Sequence, residues 1–192
     1  ADKGVNVLRL AEDGNNQINE NIKVFNTQKG LNYDNVNSLL KDKEGNIWIG
    51  TGLGLNQYRG DRFLIYDDSD GLVNSIVWSI VEDNEKNIWI GTDGGLSKFV
   101  NGVNADKNLE LINYTSENGF PGNYVNSIIK DITGNIWFSV PGKGLAVLQE
   151  GNKNFKIINK NNGIASDYIQ DMAQDLKGNI WFATPEGASV YD

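Results

Sequence analysis

The stretch Asp42-Lys-Glu-Gly-Asn-Ile-Trp48-Ile-Gly-Thr51 occurs four times in variant form, its other copies running from Asp83 to Thr92, Asp131 to Val140 and Asp175 to Thr184. Each copy sets an Asp six positions ahead of a Trp (Asp42/Trp48, Asp83/Trp89, Asp131/Trp137, Asp175/Trp181). Three of the four place Gly-Asn in the turn between, and the second has Lys86-Asn87 instead. Successive Trp residues are 41, 48 and 44 positions apart, the spacing of propeller blades built from four short strands.

Outward from these copies the register holds. A Gly twelve positions before each Asp is followed by an apolar residue: Gly30-Leu31, Gly71-Leu72, Gly119-Phe120 and Gly163-Ile164. Short apolar runs follow at Val36 to Leu40, Val77 to Val81, Val125 to Ile129 and Ile169 to Ala173, read as a strand A in each repeat. The Asp and Gly-Asn then make a tight hairpin into strand B, which holds the Trp among bulky neighbours on both faces. A Gly-rich turn leads to strand C, ending at Tyr58, Phe99, Leu148 and Tyr191. Strand D follows at Phe63 to Tyr66, Leu109 to Tyr114 and Phe155 to Ile158. The fold class expected is therefore all-β, a β-propeller or partial propeller of four-stranded antiparallel blades with about four repeats.

The expected organisation is a single propeller-type domain over 1–192, with a partial blade at 1–27 and repeats at about 28–67, 68–115, 116–159 and 160–192. Residues Gly4 to Leu10 read as a strand C and Ile22 to Asn26 as a strand D of an earlier blade, and Asn101 to Lys107 as an insertion between strands C and D of the second repeat. Two readings of the ends stay open. Either Ile22 to Asn26 completes the last blade and closes a four-blade ring, or the chain is a portion of a larger propeller that stays open or closes with a second copy of itself.

Composition narrows the function. A formal charge of −8, from 25 acidic and 17 basic residues without a dense Lys/Arg run, repels a phosphate backbone, so nucleic acid is not an expected partner. The absence of Cys removes thiolate metal sites, and the absence of His removes the commonest general base and transition-metal ligand. No metal or other cofactor is expected. No stretch approaches the roughly 18 apolar residues of a membrane span, so no direct membrane contact is expected from this segment. The 28 Asn and 22 Gly against 3 Pro match a chain made of tight turns.

The succession Gly-Leu, Val-Asn-Ser, Asp-x-x-Gly-Asn-Ile-Trp-Ile-Gly-Thr and Gly-Leu with an aromatic resembles the two-component regulator propeller repeat, over nearly the whole chain. In that family tandem repeats build the periplasmic sensor region of hybrid two-component systems, often responding to oligosaccharides. The resemblance implies a non-catalytic, periplasmic or extracellular sensor module of a signalling receptor, with an oligosaccharide or other small ligand and downstream receptor domains as partners.

The repeated Trp and Asp residues read as structural: Trp48, Trp89, Trp137 and Trp181 as packing between blades, Asp42, Asp83, Asp131 and Asp175 as acceptors for turn N–H groups. Binding is expected where repeats differ, on the face from which the D-to-A and B-to-C loops emerge. That face offers Tyr33 and Asp34 with Asn37, Trp78, Tyr124 with Asn126, and Asp167 and Tyr168 with Gln170. Aromatic faces interleaved with amides suit a sugar ring, and Trp78 stands out as the one Trp outside the repeated position. Two other classes remain: a protein-binding or structural platform using the same loops, and a lyase- or glycosidase-like enzyme pairing Asp34 with Asp167 for acid/base work.

Overall fold

The computed structural model describes residues 4–8, 22–100 and 110–192. It is all-β, with single-turn 3-10 helices and no α-helix among the described residues. In chain order the strands are β1 (Val5–Leu8), β2 (Ile22–Phe25), β3 (Val36–Lys41), β4 (Ile47–Thr51), β5 (Gly54–Tyr58), β6 (Phe63–Tyr66), β7 (Val77–Glu82), β8 (Ile88–Thr92) and β9 (Gly95–Phe99). They continue with β10 (Leu111–Tyr114), β11 (Ile128–Lys130), β12 (Ile136–Val140), β13 (Gly144–Leu148), β14 (Phe155–Ile158), β15 (Asp171–Gln174), β16 (Ile180–Thr184) and β17 (Gly187–Tyr191).

These strands form antiparallel blades in simple meander order: β3-β4-β5-β6, β7-β8-β9-β10, β11-β12-β13-β14, the three-stranded β15-β16-β17, and the pair β1-β2. Each apolar core lies between neighbouring blades. Trp48 clusters with Ile88, Ile90 and Phe99 of the next blade, Trp89 with Ile136 and Phe138, and Trp137 with Ile180 and Phe182. Val5 and Phe25 of the β1-β2 pair cover Leu31 and Ile49 of the first complete blade. Among the described residues β2 pairs with β1 and β17 pairs only with β16, so these sheets do not close into a four-blade ring and form a partial propeller.

The hairpin between strands A and B is held by its Asp. One carboxylate oxygen of Asp42 accepts from the backbone N–H of Asn46 at 2.7 Å, and the other from the Asn46 amide and the Trp48 indole N–H, each at 2.8 Å. Asp83, Asp131 and Asp175 repeat the arrangement with Asn87 and Trp89, Asn135 and Trp137, and Asn179 and Trp181. The third turn position needs positive φ, which Gly45, Gly134 and Gly178 supply at 90°, 90° and 95°. Lys86 occupies the same place at φ 67°, the one positive-φ residue other than Gly among those described.

Three expectations are corrected. Strand A of the third and fourth repeats begins later than its apolar run: β11 starts at Ile128 and β15 at Asp171. At the start of the third run Val125 N–H donates to the Thr92 carbonyl of the previous blade, and in the fourth Gln170 N–H reaches the Ala183 carbonyl of β16 just before the regular pairing of β15 begins at Asp171. Strand D of the second repeat is Leu111–Tyr114, because at Glu110 the backbone instead closes the turn with Val100. Trp181 is not packed like its counterparts: it is 46% exposed, where Trp48, Trp89 and Trp137 are at most 4% exposed. Arg9, Leu10, the insertion Asn101 to Lys107 and Leu109 lie outside the described residues.

Candidate functional site

On the loop face each strand D runs into a 3-10 turn: Thr27–Lys29, Asp68–Asp70, Ser116–Asn118 and Lys160–Asn162. Each ends at a Gly in the left-handed region, the landmark Gly of the repeat, with φ between 95° and 104°. The residue four positions after that Gly reaches back over the turn. Asp34 accepts from Thr27 N–H at 2.7 Å, Ser75 from Asp68 N–H at 3.2 Å, Asn123 from Ser116 N–H at 2.8 Å and Asp167 from Lys160 N–H at 2.7 Å. Asp34 and Asp167 thus share one task with a Ser and an Asn, which is to hold the loop in shape. They stand on blades that are not neighbours, each engaged with its own turn, and are not brought together as an acid/base pair.

The next candidate position is occupied by Asn37, Trp78, Asn126 and Gln170. Asn37 donates its amide to the Val77 carbonyl at 2.9 Å, and Asn126 to the carbonyls of Ile169 and Gln170 at 3.2 and 3.1 Å, so both tie one blade to the next. Trp78 cannot make that bridge. Like Asn37, which stands in the equivalent bulge between Val36 and Ser38, it sits in a β-bulge between Val77 and Ser79, a feature that re-aims a side chain out of the sheet, but it carries an indole in place of the short amide. Its indole N–H donates to Asp93 at 3.2 Å, and its ring meets Tyr124 edge-on with centroids 6.1 Å apart.

Trp78 and Tyr124 are half-buried and Asp93 is exposed. Burial, with the Asp93 carboxylate second, pushes the Tyr124 phenol above its ordinary range, so it stays a neutral hydroxyl. Two aromatic edges and a carboxylate meet where the second blade joins the third, offering apolar contact beside a hydrogen-bond acceptor. Tyr33 and Tyr168 are not part of this cluster. They are exposed, Tyr33 beside Gly52 and Tyr168 beside Gly142 in the B-to-C turns. Gln170 is exposed as well.

Asp93 was not singled out by the pattern, although the signal is there. The same turn position holds Gly52, Pro141 and Pro185 in the other repeats, so Asp93 breaks the repeat as Trp78 does. The opposite face also holds a cleft of about 240 Å³ between the second and third blades, lined by Asn84, Glu85, Lys98, Glu150, Asn152 and Lys153. Its floor is built: Asn84 donates to Glu150 at 3.0 Å and accepts from Lys130 at 3.0 Å, and the Lys98 ammonium lies 4.7 Å from the Trp89 ring centroid.

The two component regulator propeller family model matches residues 30–52, 71–94 and 119–142, which run from the landmark Gly through strands A and B of three blades. No curated protein matches the chain. Among solved structures, the extracellular domain of BT3049, described as a hybrid two component system of B. thetaiotaomicron, superposes with a TM-score of 0.76 at 23% identity, covering 88% of this chain and 23% of that one. PorZ, a surface component of the type-IX secretion system of Porphyromonas gingivalis, gives 0.71 at 15% identity, covering 88% and 27%. Virginiamycin B lyase from Staphylococcus aureus gives 0.62 at 12% identity, covering 100% and 70%. The chain thus spans about a quarter of the length of the first two, and these likenesses carry the fold alone. Over these three stretches the chain matches the two component regulator propeller repeat, one copy in each of three successive blades.

Proposed function

We propose that the chain is a non-catalytic, extracytoplasmic sensor module of a two-component signalling receptor, binding a neutral oligosaccharide on the loop face at Trp78, Tyr124 and Asp93. The observation that carries this reading is that Trp78 and Asp93, the residues that break the repeat on this face, meet each other, with Tyr124 against them. Repeated positions are taken up by packing and by blade-to-blade hydrogen bonds, whereas these three are placed by the bulge and the turn and reach solvent. A pyranose presents an apolar ring face and a rim of hydroxyls, which suits aromatic rings next to a carboxylate acceptor. The family match and the likeness to extracellular domains support the placement outside the cytoplasm and in a receptor. Binding would act mechanically, by shifting the junction between the second and third blades.

Titration of neutral oligosaccharides followed by Trp fluorescence tests the proposal. Saturable quenching or enhancement is expected, with Trp78→Ala weakening affinity by about tenfold, roughly 1.4 kcal/mol. If no glycan gives a saturable signal while a receptor partner domain binds tightly, the loop face is a protein-docking platform instead. Turnover of a bound glycan would overturn the non-catalytic reading.

A further inference from the structure

We propose that the cleft between the second and third blades, on the face opposite the loops, is a second binding site for a small zwitterion of the α-amino acid class with an aliphatic side chain. Lys98 and Lys153 hold its carboxylate, and Glu85 and Glu150 its ammonium. The inference is independent of the loop-face reading.

The cleft exists because this junction departs from the repeat. The fourth residue of strand C pairs across the sheet with the repeated Trp, and is Gln57, Lys98, Val147 and Val190 in the successive blades. Gln57 is buried and accepts from the Arg59 Nε–H at 3.0 Å, and Val147 is buried as well, so at both neighbouring junctions this place is filled. Lys98 instead carries its ammonium over the Trp89 ring, at the wall of the cleft. Asn84, at the tip of the second hairpin, spans the junction by donating to Glu150 in the turn after β13, and Lys130 fixes it from the other side. Gly134 lets these loops converge, because a Cβ there would overlap the Glu150 carboxylate, whereas at the equivalent Gly45 it would meet nothing.

The charges select the ligand. Each wall brings one group of each sign, Lys98 and Glu85 from the second blade, Lys153 and Glu150 from the third. Asp83, behind them, is already engaged by Asn87 and the Trp89 indole. Among the described residues neither ammonium makes an ion pair, and the Glu150 carboxylate has only the Asn84 amide as a partner. A metal ion would meet two ammonium groups, and an anion would meet two carboxylates on a chain of charge −8. A molecule with one charge of each sign satisfies both pairs through charge-assisted hydrogen bonds. The volume of about 240 Å³ lies below the roughly 300–1,000 Å³ of sites for drug-sized ligands, so the occupant is small. Ile136 and Leu148 in the lining give an aliphatic side chain an apolar surface to cover.

Isothermal titration calorimetry of the 192-residue protein with free L-leucine as the probe tests this site. Saturable heat is expected, with L-leucinamide, which lacks the carboxylate, and N-acetyl-L-leucine, which lacks the ammonium, each binding at least about tenfold more weakly. Lys98→Gln, which installs the residue of the first complete blade, and Glu150→Gln are each expected to weaken L-leucine by about tenfold. Lys177→Gln, which removes a cation from the fourth hairpin, leaves the affinity unchanged. Lys153→Gln changes an exposed side chain and carries the same expectation as Lys98→Gln should that variant not fold. Absence of heat with L-leucine at millimolar concentration overturns the site, as does an affinity that none of the cleft substitutions changes. Equal binding of L-leucinamide or of N-acetyl-L-leucine overturns recognition through both charges.

Discussion

Glu82 and Gln174 show what one atom changes at equivalent positions. Gln174 accepts from Ile132 N–H of the preceding hairpin at 2.9 Å and donates its amide to the Gly178 carbonyl of its own hairpin at 2.9 Å, so both ends are used. Glu82 accepts from Lys43 N–H at 3.0 Å with one oxygen, but its other oxygen is buried without a partner. Burial pushes this carboxyl above its ordinary range, against the lowering effects of the Lys43 N–H and ammonium. A raised folded pKa means that the folded state holds the proton more tightly, so the stabilising contribution is present at low pH and is lost as pH rises through the folded value. Glu82→Gln removes the buried charge and supplies a donor aimed at the Lys86 carbonyl, the counterpart of Gly178. The expected gain at pH 7 is about 1 kcal/mol, shrinking toward pH 4, measured by urea unfolding at the two pH values. An equal gain at both would show that the charge is not the cause.

At the scale of the element, the A-to-B hairpin is where sequence and structure agree most closely and where one copy departs. Asp-x-x-Gly-Asn-Ile-Trp could be read directly because every bond in it is local, within six residues of the Asp. The starts of strands A were less legible, because Val125 bonds to Thr92 at the end of β8 and Ile128 to Ser79 of β7, both in the preceding blade, which no alternation of side chains reveals. The same holds for the candidate site: Trp78 stood out as a break in the repeat, but its contact with Asp93 depends on a bulge, and the roles of Asp34 and Asn37 depend on hydrogen bonds to backbone atoms that have no sequence signature. In the second hairpin Lys86 holds the left-handed position and pairs with Glu44 at 2.7 Å. That exposed pair contributes little, so backbone strain outweighs it. Replacing Lys86 by Gly and by Ala removes the pair in both cases but relieves the strain only with Gly. Lys86→Gly is expected to exceed Lys86→Ala in stability by about 1 kcal/mol, read from chemical denaturation midpoints with a shared slope.

For the whole molecule, stability is a chain of junctions, because the apolar clusters lie between blades and each blade is a hairpin meander with little core of its own. The four repeated Trp residues therefore have the same local structure and different energetic weight. Trp137 lies against Phe182 and Tyr191 of the following sheet, 6.1 and 5.3 Å between ring centroids, and is 4% exposed. Trp181 has the same indole bond to its Asp, and that bond, ahead of the Asn179 and Lys177 donors, holds the Asp175 carboxyl down at about 2. Its ring stays 46% exposed. Trp137→Ala opens a cavity in a sealed junction and is expected to cost about 3–5 kcal/mol, whereas Trp181→Ala removes a half-exposed ring and should cost about 1 kcal/mol. Thermal unfolding of the two variants separates these outcomes: comparable losses would mean that the Asp-to-indole hairpin bond, common to both, carries the stability. A large difference assigns it to the packing of blade on blade, and the repeat then stabilises the molecule only where another blade covers it.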